Sequence, residues 1–78
     1  MGWNDHVEGP GYEPDAHYFT FGFGQKHQNG YVIIYADDPA EARDKMMEAY
    51  GPFWAFQYDS AEAAGVERFN LQLVETIP

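Results

Sequence analysis

Asp37, Asp38, Glu41, Asp44 and Glu48 form the densest run of carboxylates in the chain. On a helix, Glu41, Asp44 and Glu48 share one face at i, i+3 and i+7, with neighbours ~5–6 Å apart. A row of carboxylates suits a basic protein surface, and imitates a phosphate backbone only loosely. The plainer reading is a solvated helix face whose acids favour the positive N-terminus. A Glu41–Lys45 pair at i,i+4 fits that reading, and Lys45 interrupts the acidic row. No residue group points to catalysis. Ser60 follows Asp59 at a helix start and has no nucleophile-elbow context. His6, His17 and His27 lack HxxxH or HExxH spacing, so no metal is expected. Acids are too common here for any two to define an acid–base pair. The expectation is a binding protein with no enzyme activity and no cofactor.

Two other surfaces hold candidate contact residues. The loop GFGQKHQNG has Gly22 and Gly24 but neither a GK[ST] element nor a following helix, so it is not a phosphate loop. Its tip offers Lys26, His27 and Gln28 as polar contacts. The second surface is aromatic. If Phe19, Phe21 and Phe23 face a helix, Tyr18, Tyr31, Tyr35 and Trp54 fall on the opposite side. An exposed aromatic patch marks an interface. Alternatively, the N-terminal segment or a second copy covers it, or the tyrosines merely edge the core.

These residues need elements to position them. Residues 17–24 (HYFTFGFG) alternate with strand periodicity, and residues 31–36 (YVIIYA) are β-branched and aromatic. Asn29-Gly30 between them signals a turn, so the two strands form an antiparallel hairpin. Asp38-Pro39-Ala40-Glu41 reads as a helix start with a capping box. Ala42, Met46, Ala49 and Tyr50 supply one apolar stripe, and Gly51-Pro52 ends the helix. Residues 53–58 (FWAFQY) read as a third strand with Trp54, Phe56 and Tyr58 on one face. Asp59-Ser60-Ala61-Glu62 starts a short helix limited by Gly65, and residues 71–77 (LQLVETI) alternate weakly as a fourth strand. The expected fold is α+β, a small antiparallel sheet in the order β-β-α-β-short α-β with one main helix on one face. The echo of DPAEA in DSAEA suggests two independent helix starts rather than a repeat.

Seventy-eight residues make one domain. Residues 1–16 contain glycines, prolines and four acids without Lys or Arg, and read as a flexible acidic tail, on which Trp3, Val7 and Tyr12 are candidates for docking. Residues 17–78 read as the folded domain. The formal net charge is −9. Asp5, Glu8, Glu13 and Asp15 place −4 of it in the tail, leaving −5 from nine acids and four bases in residues 17–78. Lys26, Arg43, Lys45 and Arg68 are scattered, which argues against direct nucleic-acid binding. The absence of cysteine rules out disulfides and mildly favours a reducing compartment. No apolar run reaches the ~18–20 residues of a membrane span, and no signal peptide is evident. A soluble cytoplasmic protein is expected.

The strings FTFGFGQKHQNGY, EARDKMMEAYG and WAFQYDSAEAAGVERF together resemble a pattern of small phage and prophage proteins. The resemblance covers roughly residues 18–73, and residues 54–69 carry it most clearly. It implies a phage accessory protein in the host cytoplasm, of the kind that includes host-defence inhibitors such as anti-CRISPR proteins. No catalytic residue comes with it. The leading expectation is therefore an acidic inhibitor that occupies a basic nucleic-acid-binding surface of a host protein. The alternatives are a small-ligand-binding protein, either alone or as a homo-oligomer such as a homodimer with its pocket between copies, and a minor structural virion protein.

Overall fold

The structure, a computed structural model, describes residues 14–78. The expected tail, apart from its last three residues, and the docking of Trp3, Val7 and Tyr12 lie outside the described residues. The element order is β1 (Asp15–Thr20), β2 (Gly30–Ala36), α1 (Pro39–Tyr50), β3 (Phe56–Tyr58), α2 (Ala61–Ala64) and β4 (Gln72–Ile77). This is the α+β arrangement that the periodicities predict.

β1 and β2 form the antiparallel hairpin, with Phe19 opposite Val32 and His17 opposite Ile34. β3 adds antiparallel to β1, and β4 adds parallel to β2, giving the sheet order β3-β1-β2-β4. The sheet is therefore mixed rather than wholly antiparallel. β1 begins at Asp15, two residues before the strand expected at His17, and stops at Thr20 rather than Gly24. A tight turn ends it, in which Gln25 N–H donates to the Gly22 carbonyl at 3.0 Å and Gly24 takes φ 88°. Gln25 and Gln28 hold that turn through their side-chain oxygens, which accept from Gly22 N–H and Gly24 N–H.

Asn29-Gly30 closes a turn as expected, Gly30 N–H donating to the His27 carbonyl at 2.7 Å, and Gly30 has a second role. Gly30 is the first residue of β2, and its φ is not positive. A Cβ there would sit 2.5 Å from Val74 Cγ2. The pairing of β2 with β4 skips Val74 between Leu73 and Glu75, which leaves this extra residue packed toward the core. Glycine is required because Val74 fills the space above it.

The α1 start is capped as expected at Asp38, but the return bond of the capping box falls one residue earlier, on Asp37. Asp38 Oδ1 accepts from Glu41 N–H at 2.8 Å, and Glu41 Oε1 accepts from Asp37 N–H at 3.1 Å. Pro39 occupies the first turn. α1 lies on the sheet face that carries Phe19, Phe21, Val32, Ile34 and Ala36, and buries Ala42 and Met46 against them. Tyr50, Trp54, Val74 and Ile77 close the edges of this core. Ala49, expected in the stripe, is exposed. Burial of each large side chain contributes about 1.5–3 kcal/mol, so Phe19, Ile34, Met46 and Val32, all fully buried, dominate the core.

The chain then crosses the sheet a second time. From β2 through α1 to β3 it moves toward one edge, and from β3 through α2 to β4 it returns to the other. Right-handed crossovers in opposite directions lie on opposite faces. Accordingly α2 packs on β1 and β3, and the buried Ala64 belongs to no part of the α1-side cluster. Ser60 caps α2 by accepting from Ala63 N–H at 3.0 Å, and Gly65 ends it in the left-handed region at φ 81°. The Phe69 ring occupies the place where a Gly65 side chain would stand.

Candidate protein-binding surface

The carboxylates predicted along α1 do share an exposed face, but they divide into two groups. Asp38 and Glu41 are spent on the capping box, and the Asp37 backbone takes part in it. Asp37, Asp44 and Glu48 are exposed, and their carboxylates make no hydrogen bond or ion pair among the described residues. Their free charge is what a partner would meet.

Lys45 does not interrupt this row. Its Nζ turns down to the sheet, donating to the Tyr35 carbonyl at 2.8 Å and to the Pro78 carbonyl at 3.3 Å. Glu41 Oε2 lies 3.9 Å from the same ammonium. The cation is thus held at the C-terminal ends of β2 and β4, on the flank of α1. Arg43 projects from the other flank, where it lines an open groove of about 770 Å³ along β3. The crest between them is acidic.

The hairpin-tip residues separate. Lys26 is exposed, whereas Gln28 is engaged in holding the Gly24 turn. His27 is half-buried and is not a tip residue. Its ring meets Phe21 edge-on at 5.2 Å and Tyr50 at 6.1 Å. Those three rings seal one end of the core, with Phe21 and Tyr50 at 5.5 Å. Tyr50 O–H donates to Glu75 Oε1 at 2.7 Å. Burial foremost, then the bond to Glu75 and its negative charge, push the Tyr50 phenol up to about 12.

The aromatic face is reordered too. Tyr18 and Tyr31 stack at 6.3 Å on the face opposite α1, both half-buried, and Tyr35 lies further along the same face. Trp54 does not join them. It precedes β3, which begins at Phe56 rather than Phe53, and its ring packs edge-on against Phe19 at 5.1 Å on the α1 side. Its Nε1 is buried with no acceptor among the described residues. His17 is also buried on the α1 side, with Nε2 3.2 Å from the Ala36 carbonyl. No group of three His, Asp or Glu among the described residues could hold a metal ion.

One surface escaped the sequence reading. Phe23, expected in the core with Phe19 and Phe21, is 97% exposed at the tip of the Gly22–Gln25 turn. Phe53 and Phe56 are also well exposed. Gly22 abuts Ala55, and Ala55 N–H donates to the Thr20 carbonyl at 2.8 Å, so the three phenylalanines flank one junction of β1 and β3. The Gly-Phe-Gly triplet was the available signal, since flanking glycines favour a turn over a strand.

No protein-family model, curated protein or solved structure matches the chain. No helix among the described residues is long and apolar enough to cross a membrane.

Proposed function

We propose that this protein is a non-enzymatic binding module that docks the acidic crest of α1 on a basic surface of another protein. The observation that carries the reading is the turn of Lys45 onto the Tyr35 and Pro78 carbonyls and Glu41, which leaves Asp37, Asp44 and Glu48 on an exposed ridge with no ion-pair partner among the described residues. Such a ridge steers association with a positive patch and selects against negative ones. The likeness to small phage and prophage proteins adds a context, in which the partner is a host-defence protein with a basic nucleic-acid channel and the outcome is inhibition in the host cytoplasm. Capture from host lysate at low and high salt tests the reading. A basic partner retained at low salt and released by screening supports it; recovery of no basic partner at low salt ends it.

A further inference from the structure

β3 is an edge strand, hydrogen-bonded to β1 and, among the described residues, to no strand on its outer side. Exposed edges are usually blunted by lysine, proline, a bulge or a cover. β3, Phe56-Gln57-Tyr58, has the three-residue length that itself helps to blunt an edge, but it carries no lysine, proline or bulge, and no strand covers it among the described residues. The opposite edge, β4, has both a bulge against β2 and the charged Glu75.

Around this edge the chain is complementary to itself. Phe56 and Tyr58 straddle Gln57, and their rings sit 6.3 Å apart on the face away from α1. On the α1 side the groove along β3 holds both a cation, Arg43, and an anion, Asp59. Both are exposed, and no ion pair joins them among the described residues. A two-fold contact requires such a self-complementary patch.

We propose that β3 is a self-pairing edge, through which two copies of this chain join antiparallel about an axis at Gln57. That register sets Phe56 of each copy opposite Tyr58 of the other, an aromatic cross-strand pair. The two grooves merge, and each Arg43 faces Asp59 of the second copy. Lys45 anchors the Glu41 flank of α1 toward β2 and β4, so the acidic crests stay away from the join. Phe23 and Phe53 extend the apolar border beside it, and the two-glutamine turn holds Phe23 in place before contact. The inference is independent of the heterologous partner, and its salt dependence has the opposite sign. Two chains of net charge −9 repel at low ionic strength, so screening strengthens the pairing.

Sedimentation equilibrium of the full chain, from micromolar to millimolar concentration and at low and high salt, gives the test. A concentration-dependent dimer that tightens with salt is expected. Phe56→Lys, with its circular dichroism unchanged, should weaken that dimer by about tenfold or more. Arg43→Asp and Asp59→Arg should each weaken it by roughly threefold to tenfold, and the double variant should recover most of the loss. A monomer at every concentration overturns the proposal. So does a dimer indifferent to Phe56→Lys, or a charge reversal without rescue. Should Phe56→Lys not fold, the reversal series decides, because Arg43 and Asp59 are both exposed surface residues.

Discussion

The Lys45 ammonium is bonded to the Tyr35 carbonyl at 2.8 Å while it stays within 3.9 Å of the Glu41 carboxylate on its own helix. A lysine at i+4 from Glu41 looks, in one dimension, like a break in an acidic stripe. In three dimensions its flexible stem lets the head reach the strand ends while it keeps the expected i,i+4 ion pair with Glu41 at 3.9 Å. Lys45→Met keeps much of the stem and deletes the ammonium. It should lower stability by roughly 1 kcal/mol in urea unfolding, while binding to a basic partner at low salt tightens or holds.

The division of the carboxylates directs the next test. Asp44→Lys with Glu48→Lys alters only exposed side chains without partners among the described residues, so stability should stay within about 0.5 kcal/mol. Partner affinity at low salt should drop about tenfold or more. Glu41→Lys would be a poorer probe because it also removes half of the capping box. An Asp38→Ala variant isolates that part and should cost about 1 kcal/mol.

The burial of Tyr50, with its bond to Glu75, predicts an alkaline limit. The phenol is raised from 10.0 to about 12 in the folded chain. Its stabilising effect is therefore complete below pH ~10 and is lost as pH rises toward ~12, because the unfolded chain ionises first. Melting temperature should fall across that window. Tyr50→Phe should reduce the fall, and lower stability below it, as read by thermal unfolding at pH 8 to 12.

The alternating phenylalanines should respond unequally. Phe19→Ala empties a fully buried site and should cost about 3–5 kcal/mol. Phe21→Ala should cost somewhat less, since Phe21 retains 7% exposure. Phe23→Ala should leave stability within about 0.5 kcal/mol. Chemical denaturation of the three variants checks the order.

Much of the fold was legible because its local signals agree. Asp38, Pro39 and Glu41 announce α1, Ser60 and Gly65 bracket α2, and the alternation through Phe19 and Phe21 marks the buried face of β1. Three features were hidden for physical reasons. Phe23 continues the period of two, but its flanking glycines let Gln25 and Gln28 close a turn there. Trp54 shares parity with Phe56 and Tyr58, yet it lies ahead of the strand and is free to turn onto Phe19. The direction of β4 depends on whether the connection through α2 carries the chain back across the sheet before it pairs with β2, and no short-range pattern encodes that. Of the candidate contact residues, the acidic row could be placed from spacing alone. The inward turn of His27 could not, because its neighbour Tyr50 is distant in sequence.

The parallel pairing of β4 with β2 also has a temporal consequence. β1 and β2 zip together around one short loop, and α1 follows directly from β2. Gly30 meets Gln72 only by closing a loop of about 40 residues, which carries the larger entropic cost. The pairing of Thr20 with Phe56 closes a loop of similar length, about 36 residues, so both outer strands should dock after the hairpin and open before it.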